Sequence, residues 1–257
     1  MKARLILILS LAVSLLVLVS CGPGEQRPTW AEEFNGDSFD TTVWAKIPRG
    51  PSPWDWHMAS NDELFEVKDG CLTLRAIVNP DTTVDKAPLL TGGLITRMPL
   101  CFGYGKLEIC ARLAGARSAW PAIWMLPFDN APWPAGGEID IIERLNSEDI
   151  VYTTAHTPFT LRDTVYAHSS TAPIDATGWN VYGLAHYRDS LVWSVNGVDT
   201  YTYSRMADGP EDQWPFDRKF YLILSIQLSG AWVGPLCTED LPTTMDIDWI
   251  RFRKFEE

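Results

Sequence analysis

The run Gly136-Gly137-Glu138-Ile139-Asp140-Ile141-Ile142-Glu143 places three carboxylates in a segment whose isoleucines favour an extended, half-buried chain. Acids buried among β-branched residues are costly unless their charge or their proton is used, so the cluster points to proton transfer and nucleophilic attack. In a regular strand Glu138 and Asp140 share one face while Ile139 and Ile141 take the other. Glu143 is then out of phase. A single bulge at Ile141-Ile142 returns it to the face of the other two acids. Glu138 and Glu143 become four effective positions apart, about 13 Å of backbone, and their long side chains can lean together over Asp140. Two carboxyls about 5–5.5 Å apart are what double-displacement glycoside hydrolysis needs, one attacking while the other protonates the leaving oxygen. The competing reading is an edge strand whose acids face water.

The neighbourhood favours a cleft. Trp120 and Trp124 lie in Ala119-Trp120-Pro121-Ala122-Ile123-Trp124-Met125-Leu126-Pro127 just upstream, and Trp133-Pro134 comes immediately before the acids. The 257 residues include 12 tryptophans, several times ordinary usage. Trp can lie flat on a sugar ring while its N–H bonds a hydroxyl, although a Trp-rich core is the alternative use. Carboxylates walled by indoles have raised pKa values, as acid catalysts require.

The elements that must position these residues read as strands. Cys71–Ile77, Gly105–Leu113, Ile150–Thr154, Asn180–Ala185, Leu191–Val195 and Met245–Arg253 are short, mostly alternating and rich in aliphatic and aromatic residues. Asp69-Gly70, Asn79-Pro80, Asn196-Gly197 and Asp208-Gly209-Pro210 supply the turns, and long helical periodicity is absent. The expected fold is all-β, an antiparallel β-sandwich of jelly-roll type forming one catalytic domain over 29–257. With 46% hydrophobic and 21% charged residues the chain is a packed globule. Its formal charge of −12 repels polyphosphate, which argues against nucleic acid as a partner.

Lys2 and Arg4 precede a mainly apolar run to Leu18, and Leu18-Val19-Ser20-Cys21 closes it. The run is too short for a comfortable span and has the form of a bacterial lipoprotein signal over 1–20, with Cys21 the lipidated residue. Residues 21–28 then form a tether. The expectation is a monomer held in the cell envelope, at the outer membrane. Cys71, Cys101, Cys110 and Cys237 remain; they permit three disulfide pairings or free thiols. No CxxC pair, G-x-S-x-G elbow or HExxH helix occurs, and nothing indicates a catalytic cofactor.

The acid cluster resembles the bulged E-x-D-x-x-E signature of glycoside hydrolase family 16, in its laminarinase-like branch. Trp120-Pro121-Ala122-Ile123-Trp124-Met125-Leu126 is similar to that family's WPAxWML strand. Phe102-Gly103-Tyr104-Gly105-Lys106-Leu107-Glu108 is similar to its YGKxE strand, and Asp246-Ile247-Asp248-Trp249-Ile250-Arg251 to its closing strand. The resemblance implies a curved jelly roll with a concave cleft and cleavage inside a polymeric glycan. It makes Glu138 the nucleophile, Glu143 the general acid/base and Asp140 the residue that tunes both. Three acids so close cannot all ionise, so the proton is expected to stay on Glu143. His156 is expected on the next strand, near Asp140 or Glu143, and Trp120, Trp124 and Trp133 near the cut bond. Gln227 and Trp232 match the family's late cleft strand and loop. Asp248 matches the place of a structural calcium ligand.

The motif does not choose among glucans, galactans and host galactose/N-acetylglucosamine chains, because loops over the cleft set specificity. Asn61-Asp62-Glu63-Leu64-Phe65-Glu66-Val67 departs from the longer aromatic segment of laminarinases. With the signal, Pro88-Leu89-Leu90-Thr91-Gly92-Gly93 and Trp232-Val233-Gly234-Pro235, the chain resembles gut-bacterial lipoproteins of the family, some of which cut poly-N-acetyllactosamine in mucin O-glycans. That substrate is the expectation, with Gln227 and His57 as positions for bonds to galactose. A β-1,3- or mixed-linkage glucan is the alternative polymer, and a non-catalytic glycan-binding lipoprotein the alternative class.

Overall fold

The computed structural model describes residues 27–163 and 168–256. The signal segment, Cys21 and most of the tether lie outside the described residues. In chain order the strands begin with β1 (Trp30–Glu32), β2 (Trp44–Lys46), β3 (Phe65–Lys68), β4 (Cys71–Val78), β5 (Leu89–Thr91) and β6 (Gly93–Thr96). The middle of the chain forms β7 (Gly105–Leu113), β8 (Ala119–Pro127), β9 (Glu138–Glu143), β10 (Ile150–His156) and β11 (Ser169–Pro173). The last are β12 (Asn180–His186), β13 (Ser190–Val195), β14 (Val198–Ser204), β15 (Phe220–Leu228) and β16 (Thr243–Lys254). All six strands read from alternation form, and β7 has the expected bounds.

Two antiparallel sheets face each other. The outer one runs β14-β13-β12-β7-β16-β4-β3, with β1 added to β16 and β5 to β4. The cleft sheet runs β11-β10-β9-β8-β15-β6-β2, so the strand carrying the three acids lies inside it and not at an edge. Ile123, Ile139, Ile142, Leu222 and Leu224 from the cleft sheet meet Leu107, Ile109, Ile247 and Ile250 from the outer one in a single core. Each such side chain contributes roughly 1.5–3 kcal/mol by leaving water. Trp44 and Trp193 are fully buried, so part of the tryptophan surplus does serve the core.

The turns explain the register. Asn196 and Gly197 have φ of 51° and 79°, the left-handed pair that a two-residue hairpin loop requires, and they join Val195 to Val198. Asp69-Gly70 repeats this between β3 and β4, with φ of 52° and 78°. Cys71, Cys101, Cys110 and Cys237 are all free thiols. Asp248 is exposed at a register shift of β16, with the Cys110 thiol bonded to it. Among the described residues it joins no cluster of three acidic, Cys or His donors, so the side chains there do not by themselves form a calcium cage.

Candidate active site

β9 lies between β8 and β10, and its pairing shows how the acids come together. On β10, His156 faces Glu138, Thr154 faces Asp140 and Tyr152 faces Glu143. The step from Thr154 to Tyr152 is two residues, while that from Asp140 to Glu143 is three. On β8, Trp124 faces Asp140, Ile123 faces Ile142 and Ala122 faces Glu143, so the same extra residue appears. The bulge therefore falls at Ile141-Ile142, where the phase of the acids puts it. Both isoleucines go to the core, and the three carboxylates share the cleft face. The strand is anchored from behind: Trp193 of β13 donates its indole N–H to the Asp140 carbonyl at 2.9 Å.

Gly137 sets the entry to β9. Its φ of +79° is left-handed, and a Cβ there would stand 2.9 Å from Phe216 and Pro215. Only glycine meets both demands without displacing Glu138.

Asp140 is 2% and Glu143 6% exposed. The Trp120 indole N–H donates to Glu143 Oε1 at 2.9 Å. His156 Nε2 lies 3.2 Å from Asp140 Oδ2, and Glu138, Asp140 and His156 each offer a polar atom within 4.8 Å of the others. Burial, then the charge of Asp140, pushes Glu138 up to about 8, against a smaller opposing pull from His156 and the Trp133 indole. Burial drives Glu143 well above the carboxylate range too; Asp140 adds to this and the Trp120 bond opposes it. For His156 burial disfavours the charged ring, but the bond to Asp140 and the charges of Asp140 and Glu138 outweigh it and raise its pKa. The cluster thus retains protons at neutral pH and can present one acid beside one carboxylate. Glu138, Asp140 and His156 are also the one trio among the described residues close enough to share a cation.

Around the acids the side chains divide into open and covered ones. Trp232, 47% exposed, meets Trp120 edge-on at 5.1 Å and Tyr152 at 5.4 Å. Trp133 is 57% exposed, with its indole bonded to the Glu138 carboxyl. Gln227 faces Trp120 across the β8–β15 pair and is buried, with an Oε1 that no donor reaches. Trp124, expected as a sugar platform, is instead covered: Trp54 packs edge-on at 5.0 Å and the Trp124 N–H goes to Ser225 Oγ at 3.0 Å. His57 lies in the loop that carries Trp54, and its Nδ1 is buried without a partner.

Three participants escaped sequence reasoning. Tyr152 was legible, since it alternates in step with Thr154 and His156. Trp54 and Trp193 were not, because a loop residue and a residue of the opposite sheet reach the site only through the tertiary fold.

A jelly roll with buried carboxylates in an aromatic cleft defines a polysaccharide-cleaving hydrolase. Comparison with known proteins agrees. The model of the XgeA-like catalytic domain of glycoside hydrolase family 16 (GH16) matches residues 107–190. Keratan-sulfate endo-1,4-beta-galactosidase of Sphingobacterium multivorum is 33% identical over 230 residues, 88% of this chain and 54% of that protein. The chain thus spans about half the length of that relative. A beta-glucanase of Rhodothermus marinus is 31% identical over 278 residues, 96% of this chain and 94% of that protein. A solved structure from work on endo-acting O-glycanases of the human gut microbiota that initiate mucin breakdown superposes with a TM-score of 0.79. It is 27% identical over 90% of this chain and 100% of its own. The chain belongs to glycoside hydrolase family 16 and is an endo-acting glycosidase.

Proposed function

We propose that the protein is a retaining endo-β-1,4-galactosidase that cuts poly-N-acetyllactosamine in mucin-type O-glycans. The observation that carries the mechanism is the bulge that brings Glu138, Asp140 and Glu143 onto one buried face. The Glu138 carboxylate attacks the anomeric carbon while Glu143 gives its proton to the departing glycosidic oxygen. Glu143, now a carboxylate, takes a proton from water, which attacks the same carbon and releases Glu138. Asp140 and His156 position Glu138 and tune its charge. Early hydrolysis followed by proton NMR is expected to give the β-anomer first; initial α-anomer would exclude double displacement.

Two observations support the galactose reading: the likeness to a keratan-sulfate endo-galactosidase and the bare, buried Gln227 Oε1 beside Trp120. A bond from the axial 4-hydroxyl of galactose would satisfy such an acceptor, and an unmet one costs about 1–3 kcal/mol. The second reading is a β-1,3- or mixed-linkage glucanase, favoured by a beta-glucanase match that covers 94% of that relative. Mass spectrometry of digests of laminarin, mixed-linkage glucan, agarose, keratan-type chains and mucin O-glycans decides between them. The expected products carry galactose at the new reducing end, with laminarin scarcely cut; rapid release of glucose oligomers with mucin intact would reverse the choice.

The signal-like segment ending at Cys21 supports a lipid anchor in the cell envelope, at the outer membrane. Cys21→Ser is expected to abolish fatty-acid labelling and release the enzyme from membranes; a membrane-bound variant would point to another anchor.

A further inference from the structure

A hollow of about 820 Å³ opens at the end of the sandwich, within the size range of small-molecule sites. It is built where the outer sheet ends. Tyr104 leads into β7, Tyr187 follows β12 and Phe255 follows β16, three neighbouring strands of that sheet, and Lys219 precedes β15. The acids of β9 face the cleft from the other sheet, so the hollow is separate from the cut bond.

Its lining combines two kinds of group. Tyr187 and Phe255 stack in parallel at 4.7 Å, and Tyr187 remains 42% exposed, which makes a flat aromatic platform. The Arg188 guanidinium lies 4.9 Å above the Tyr104 ring. Arg188, Lys219 and Lys254 bring positive charge to the wall. Asp217 lines it too, but that carboxylate already pairs with Arg205 at 2.9 Å and accepts the Tyr104 hydroxyl at 3.0 Å. Arg218 is held by Asp129 at 3.0 Å, which leaves Glu256 as the one acid of the lining outside these pairs. Among the described residues Arg188 and Lys219 form no ion pair with a carboxylate. A cationic hollow with an aromatic floor, on a chain whose formal charge is −12, selects a ligand with an apolar face and a negative group.

We propose that this hollow binds a single pyranose ring carrying a sulfate ester or a carboxylate, with the ring on Tyr187 and the anion toward Arg188 and Lys219. Such a site would hold the enzyme on acidic regions of a glycan and raise the local concentration of cleavable bonds in the main cleft. It does not depend on which neutral linkage that cleft cuts.

The test is calorimetric titration of the intact protein with N-acetylglucosamine 6-sulfate, N-acetylneuraminic acid and uncharged N-acetylglucosamine, at about 50 and 300 mM salt. At least one of the charged sugars is expected to bind with Kd of about 1–10 mM, the neutral sugar at least about tenfold more weakly, and high salt should weaken the charged one. Arg188→Gln and Tyr187→Ala should each weaken the charged sugar about fivefold or more, roughly 1 kcal/mol. Both variants should cut whichever neutral polymer the wild type prefers at within about twofold of its rate. Binding of only the sulfated or only the carboxylated ring identifies which anion the site reads. Equal binding of the neutral sugar, unchanged binding in both variants, or no binding of either charged ring would overturn the proposal. Failure of lactosamine cleavage would overturn the substrate reading alone.

Discussion

Asp140 and Asp246 are both nearly inaccessible aspartates on central strands, one in each sheet, and their surroundings are opposite. Asp246 accepts the Thr73 hydroxyl at 2.8 Å on one oxygen and Arg112 at 2.8 and 3.1 Å on the other. Asp140 has one imidazole at 3.2 Å, and its titratable companions on the strand are two further acids, Glu138 and Glu143. The outer sheet compensates its acid with donors and a cation. The cleft sheet instead sets acids against one another and away from water, and the unfavourable energy appears as retained protons. Stability governs the first arrangement and chemistry the second.

The largest effect that could break this contrast is on rate. Glu138→Gln and Glu143→Gln are each expected to lower kcat by at least about 10³-fold, with the fold intact by circular dichroism. Asp246→Asn should leave kcat within about twofold. Release of reducing ends measures all three, and near-normal activity in Glu138→Gln would remove it from the nucleophile role.

The next effect is on stability against pH. The folded protein binds the Glu138 proton more tightly than the unfolded chain does, because burial and Asp140 raise its pKa to about 8 from an ordinary 4.5. Between those values the unfolded chain binds fewer protons, so this contribution to stability falls as pH rises. Glu138→Gln escapes the penalty. Its stability advantage over wild type should grow by roughly 2–4 kcal/mol from about pH 4.5 to 8, allowing for coupling within the cluster. Urea titrations across that window check it, and a constant difference would mean that Glu138 ionises normally.

On the outer sheet, removing the buried acid is expected to destabilise the fold. Asp246→Ala should cost about 1–3 kcal/mol, since it strands the Thr73 hydroxyl and the part-exposed Arg112. No loss in thermal melts would show that water replaces these bonds freely. The smallest effect is expected at His156. His156→Asn should lower kcat about tenfold and move the acid limb of the kcat/KM profile to higher pH, because the imidazolium helps Glu138 ionise. A slower enzyme with an unmoved limb would give His156 a purely structural part.

What the chain determines locally could be read from its letters. The period-two runs gave the six expected strands, Asn196-Gly197 and Asp69-Gly70 are left-handed where their hairpins need them, and the phase slip between Asp140 and Glu143 locates the bulge. These features depend on a few adjacent residues, so sequence spacing is enough to infer them. Tyr152 belongs with them, for its alternation with His156 already put it on the cleft face.

Contacts between distant segments were decided only by the tertiary structure. The pattern placed Trp124 on the right face of β8, yet whether its ring would be open depended on Trp54, 70 positions earlier in a loop. The Trp193 bond to the Asp140 carbonyl crosses from one sheet to the other, and the aromatic floor beside Arg188 joins the end of β12 to the chain after β16. The four cysteines, whose pairing sequence left open, are free thiols in the folded chain. The residues in the acid run were therefore evident from one segment alone. Their burial, their partners and hence their proton affinities came from segments scattered through the chain, which only folding brings within a few ångströms.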